Sequence, residues 1–85
     1  MGLHAIYYKI EREDEKWLIL RLRFVYTDGH ESIQYAKYPS RFCPKCGHRG
    51  PINGFDMNVI LTLCPYHGTF RVLPVKIGSK LEDVL

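Results

Sequence analysis

Nowhere does the chain carry an apolar run approaching the ~20 residues of a membrane-crossing helix, so no membrane span is expected. Cysteine is scarce. The three present cannot all pair off as disulfides within one chain, and Met1 to His4 offers no basic stretch leading into an apolar leader core. The chain therefore reads as cytoplasmic, in a reducing compartment where a close Cys pair serves a metal or a redox step more often than a structural bridge. Uncharged polar residues are also few: Ser, Thr, Asn and Gln total nine, against 12 Lys+Arg and 9 Asp+Glu, a balance that leans toward thermophile usage. No Gly-rich phosphate loop, no Ser/His/Asp arrangement and no carboxylate pair in an apolar setting can be assembled. Catalytic residues and a small-molecule substrate are accordingly not expected.

What is present is a compact alphabet of apolar and aromatic residues, 46% hydrophobic over 85 residues. A chain this short buries a smaller share of its surface than an ordinary domain and calls for a staple. The formal charge of +3 permits an anionic partner without demanding one.

The pattern along the chain predicts a mainly β fold. Ile6, Tyr8 and Ile10 alternate with Ala5, Tyr7 and Lys9 over Leu3 to Glu11, and an acidic stretch from Glu11 to Lys16 breaks the run. From Lys16 to Tyr26, Leu18, Leu20, Leu22, Phe24 and Tyr26 face one way, and Trp17, Ile19, Arg21, Arg23 and Val25 the other. Asp28-Gly29 then signals a hairpin whose two central residues take positive φ, with Glu31 to Tyr38 as the return strand. A small antiparallel three-stranded meander over residues 1–40 is the result. After it, Gly47, Gly50, Pro51, Asn53 and Gly54 make a turn-rich stretch. Met57 to Leu63 and Thr69 to Ile77 are the further strand candidates, the latter weakened at Pro74. A capping-box pattern at Ser79 to Glu82 leaves residues 79–85 as a tail or short helical turn. The three parts, 1–40, 41–78 and 79–85, are expected to form one folding unit.

Two short echoes carry the chemistry: Cys43-Pro44-Lys45-Cys46-Gly47 and Cys64-Pro65-Tyr66-His67-Gly68. A tight turn brings side chains at i and i+3 to one point, so each echo is a chelating pair, and two pairs supply the four ligands of a tetrahedral ion. Seventeen residues separate Cys46 from Cys64, within the ~15 to 20 that paired clips allow. His48 competes with His67 for the fourth position, but two residues beyond Cys46 its chelate ring is cramped. A redox Cys pair normally opens a helix, which the Gly- and Pro-rich run after Cys46 denies. Three thiolates and an imidazole also leave no open position for catalytic water.

At these residues the sequence resembles the zinc ribbon, whose clips typically read Cys-Pro-x-Cys-Gly. The first clip matches in full, and the second departs by carrying His67 where a fourth Cys is commonest. The resemblance spans about Phe42 to Val75. It implies a β-hairpin carrying each knuckle and one structural Zn2+ held by Cys43, Cys46, Cys64 and His67.

Around the clips lie Arg41, Lys45, Arg49 and Arg71, interleaved with Phe42, Tyr66 and Phe70. Cations among aromatics can track phosphates and stack bases; equally, Phe42 and Phe70 can be the small core flanking the metal. Arg41, Lys45, Arg49, Tyr66 and Arg71 are thus the candidate nucleic-acid contacts. Trp17, Arg21 and Arg23, joined by Tyr7 and Lys9, form a second candidate face on the outer side of the meander. The function expected is non-enzymatic docking on nucleic acid or a nucleoprotein complex, of the transcription apparatus or the ribosome. The alternative is a protein-protein adaptor or inhibitor that uses the ribbon and an exposed sheet edge.

Overall fold

The computed structural model describes residues 2–85. The protein is mainly β, built from two antiparallel sheets: β1 (Leu3–Glu13), β2 (Trp17–Tyr26), β3 (Glu31–Pro39), β4 (Ile52–Asp56), β5 (Val59–Cys64), β6 (Gly68–Val72) and β7 (Lys76–Gly78). The first sheet has the order β1-β2-β3-β7 and the second β4-β5-β6. A single 3-10 turn, Leu81–Asp83, follows β7. Among the described residues no helix is long and apolar enough to cross a membrane.

The expected N-terminal meander is present. Its first strand runs past Glu11 to Glu13 through a register shift between Ile10 and Arg12, because Asp14 rather than the whole acidic stretch makes the turn. The Asp14 carboxylate accepts the amides of Lys16 and Trp17 at 2.9 and 2.8 Å, and those two bonds hold its pKa below the usual carboxylate range. The second turn differs from the sequence expectation. Gly29 alone takes positive φ, at 93°, with Gly29 N–H donating to the Tyr26 carbonyl at 3.0 Å and Tyr26 N–H to that of His30 at 2.9 Å. These bonds close a three-residue loop with a left-handed glycine at its end instead of the two-residue turn in which both central residues are left-handed.

Alternation along β2 does what its pattern demands. Leu18, Leu20, Leu22 and Phe24 are buried, and with Ala36 and Tyr38 of β3 they meet Ile60 of β5 and Val72 of β6 in one cluster. The inner faces of the two sheets thus share a single core, and each fully buried Leu stabilises by roughly 1.5–3 kcal/mol relative to exposure. Two polar ties cross the same junction: Tyr38 Oη donates to the Asn58 carbonyl at 2.6 Å and Asn58 Nδ2 to Gln34 Oε1 at 3.3 Å.

Three elements correct the sequence reading. The turn-rich stretch after the first clip contains β4, which pairs with β5 around Met57-Asn58; Met57 adopts φ 54°, so the strand expected from Met57 begins at Val59 instead. The strand expected from Thr69 to Ile77 splits at Leu73 to Val75. Its first part, β6, pairs with β5, while β7 crosses to the first sheet and pairs with β3. Ser79 is not the cap; Lys80 is, its amide donating to Asp83 Oδ2 at 3.1 Å. Val84 beyond the turn is fully buried, and Leu85 and Ile19 line the same small cleft. The C-terminal turn therefore covers part of the outer face of the first sheet, leaving Ile19 buried on the side where the alternation pattern places solvent.

Candidate metal centre

The two echoes form two knuckles of similar construction. In the first, Cys43 N–H donates to the His48 carbonyl and Gly47 N–H to that of Cys43, both at 2.8 Å, and Phe42 pairs with Arg49 as a one-bridge hairpin. The second is the β5–β6 turn itself, with Cys64 directly opposite Gly68. Gly47 and Gly68 sit at φ 73° and 78°, a left-handed conformation that a side chain disfavours. The first knuckle is seated on the second sheet through Gly50. A Cβ there would lie 3.0 Å from the Leu63 carbonyl oxygen and 3.1 Å from the Phe70 ring, so only glycine allows this approach without a shift.

Seating the knuckles brings Cys43, Cys46, Cys64 and His67 together, their ligand atoms all within 4.8 Å of one another. Cys46 Sγ lies 3.5 Å from Cys64 Sγ, and His67 Nδ1 lies 3.6 Å from Cys43 Sγ and 3.7 Å from Cys64 Sγ. Four such atoms around one point could hold one metal ion. Cys43 and Cys64 are buried, and Cys46 and His67 are exposed. Burial pushes the Cys43 thiol up, but the amides of Lys45 and Cys46 and the neighbouring thiols outweigh it and bring the group to about 6. At Cys46 the His48 amide pulls downward, while burial, the Cys64 and Cys43 sulfurs and the charge on Cys43 prevail and hold it above its ordinary value. Cys43 is thus poised to ionise ahead of Cys46. His48 stands outside the group, its ring edge-on to Tyr66 at 5.8 Å between centroids.

The cations near the knuckles divide into two kinds. Arg41 is engaged by Glu13, Nη2 to Oε2 at 2.7 Å, with only 12% of its side chain exposed, and Arg71 is bound to Asp56. Lys45 and Arg49 have no carboxylate within 4.0 Å among the described residues. Arg49 lies over the Phe42 ring at 5.1 Å, and Phe42 itself is exposed, so Phe70 alone joins the core. Tyr66, at the tip of the second knuckle, is 76% exposed. The Arg41–Glu13 pairing was not visible in the sequence, since the partners lie 28 positions apart. No protein family, curated protein or solved structure matches this chain.

Proposed function

We propose that this is a non-enzymatic zinc-ribbon protein that docks through its knuckle face on nucleic acid or a nucleoprotein complex. Zinc with sulfur at about 2.3 Å and imidazole nitrogen at about 2.0–2.1 Å needs ligand-to-ligand edges of about 3.5–3.8 Å. Three of the six separations in the cluster, 3.5, 3.6 and 3.7 Å, fall in that interval, and all six lie within 4.8 Å. Three thiolates and a neutral imidazole are a set zinc favours, and a closed set suits a structural ion whose binding energy stands in for the core the small chain lacks.

The observation that carries the docking reading is the coincidence of uncommitted charge and exposed aromatics on one end of the molecule. Lys45 and Arg49 have no carboxylate within 4.0 Å among the described residues, Arg49 lies over Phe42 and His48 packs on Tyr66, and all three rings are exposed. Arg41 and Arg71 are paired with Glu13 and Asp56 and are not counted among the uncommitted cations. The test is binding of purified protein to labelled nucleic acid across a salt series. Phosphate contacts give a log–log slope near −0.9 per contact on duplex DNA, so replacing Lys45 and Arg49 by Gln should flatten it by about two contacts at unchanged zinc content.

One observation favours the adaptor reading. β1 is an 11-residue edge strand with Tyr8 and Ile10 half exposed, and an unpaired edge of that length can accept a partner's strand. Binding that ignores salt and is abolished by a proline placed in β1 would select this alternative.

A further inference from the structure

Across the outer face of the first sheet, like charges stand directly opposite one another. Lys9 of β1 pairs in register with Arg21 of β2, and Lys37 of β3 with Lys76 of β7. Lys37 also faces Ile19, which shares its side of β2 with Arg21, so all four cations lie on one face. Cross-strand pairs of like charge destabilise a sheet, and here none of the four has a carboxylate within 4.0 Å among the described residues. Two of the nearby acids are taken, Glu31 by Arg23 at 2.8 Å and Asp14 by Arg12 at 3.8 Å, and Asp83 stands over Gly78 at the β7 edge. A sheet that keeps two repulsive pairs, none of whose four members is paired with a carboxylate, is complementary to an anion from outside.

Aromatic rings are set among these cations in register. Tyr7 is opposite Arg23, whose guanidinium lies over its ring at 4.7 Å, and Tyr35 is opposite Arg21. Lys37 lies over Trp17 at 4.4 Å. Both an aromatic face and an arginine plane can stack a base. Beyond Tyr35, Gly78 lies beneath Asp83 of the C-terminal turn, where any Cβ would meet the Asp83 side chain. The row is therefore open toward β1 and closed at β7.

We propose that this face binds single-stranded RNA, with Lys9, Arg21, Lys37 and Lys76 on the phosphates and Tyr7 and Tyr35 against the bases. A duplex does not fit. Four strands at ~4.8 Å spacing, with side chains, are wider than the ~12 Å major groove of B-DNA; the major groove of A-form RNA is narrower still, and in its shallow minor groove the bases stay stacked with only their edges on view. Bases free to stack on a flat sheet are those of single strands, and the Tyr7 and Tyr35 hydroxyls can donate to and accept from a ribose 2′-hydroxyl. This deepens the nucleic-acid reading with a second surface, on the side of the first sheet that faces away from the second.

The test compares the full chain with a variant carrying Lys9→Gln, Arg21→Gln, Lys37→Gln and Lys76→Gln, using a labelled single-stranded RNA of about 16 nucleotides. The variant should lose at least tenfold in affinity, its salt slope flattening by about 0.7 per lost phosphate contact. Because repulsion is removed, its thermal midpoint should hold or rise, which separates lost binding from lost fold. Tyr7→Ala and Tyr35→Ala should each weaken binding by roughly 5- to 150-fold. A quadruple variant that binds RNA like the parent overturns the proposal, as does tighter binding of duplex RNA or of single-stranded DNA of the same sequence. The Lys45 and Arg49 variant tests the knuckle separately: if it alone loses binding, the sheet proposal fails and the docking function stands.

Discussion

Arg41 and Glu13 hold the first knuckle to the first strand: Nη2 and Nε of the arginine donate to the same Glu13 oxygen at 2.7 and 3.2 Å, and Nη1 to the Gly50 carbonyl at 3.4 Å. One side chain thus joins β1, the knuckle base and the glycine on which the knuckle sits.

With both partners well covered, Arg41→Ala should cost about 1–3 kcal/mol, the range of a hydrogen bond to a charged group. Glu13→Ala should cost a similar amount, and the double variant no more than the larger single. Urea unfolding of all four proteins measures the coupling; strict additivity would show that the pair is decorative.

Metal analysis is expected to find one zinc per chain. Chelation should melt at least the second sheet and both knuckles, because a bound ion would supply binding energy in place of the core that so short a chain lacks. Cys43→Ser or Cys64→Ser should reproduce chelation, and His48→Ala should leave the metal in place. A metal content that survives His67→Ala but not His48→Ala would reverse the ligand assignment.

Burial pushes the Tyr38 phenol far above its ordinary value. The folded chain therefore keeps this proton where the unfolded chain releases it, so the stability it contributes is complete below about pH 10 and is lost as the pH climbs further. Tyr38→Phe should cost about 1–2 kcal/mol near neutrality, from the lost bond to the Asn58 carbonyl. It should also give a shallower decline in stability at alkaline pH than the parent.

Ile60 is the second sheet's fully buried contribution to the shared core. Ile60→Ala should remove about 2–5 kcal/mol and lower one cooperative transition reported alike by Trp17 fluorescence and by far-ultraviolet circular dichroism. Two separated transitions would show that the sheets unfold independently.

The legible parts of this protein were those written in local spacing. Alternation from Leu18 to Phe24 marks the core stripe without reference to anything distant, and Asp28-Gly29 marks its return. The gathering of Cys43, Cys46, Cys64 and His67 was legible for a similar reason: a Cys-Pro-x-Cys-Gly turn brings two of these side chains together by its own geometry, and its echo supplies the others. Hidden features depended on partners far along the chain. Lys76–Gly78 became a strand because β3 offered an edge, Ile19 became buried where Leu85 returns to its side of the sheet, and Arg41 was drawn inward by Glu13. The β4–β5 hairpin escaped notice because its turn places Met57, not glycine, in the left-handed region.

The pairing of β7 with β3 also has a kinetic side. That contact closes a loop running from Ser40 to Val75, which contains both knuckles and the whole second sheet. The entropy of closing a flexible loop grows with the logarithm of its length, and contacts between distant residues slow folding. An ion that gathers the two knuckles early shortens the free chain still to be closed. Refolding of the metal-loaded chain should then outpace that of the stripped chain in stopped-flow traces, with the gap narrowing once β7 is deleted, so that the ion guides the route to the fold as well as holding its end.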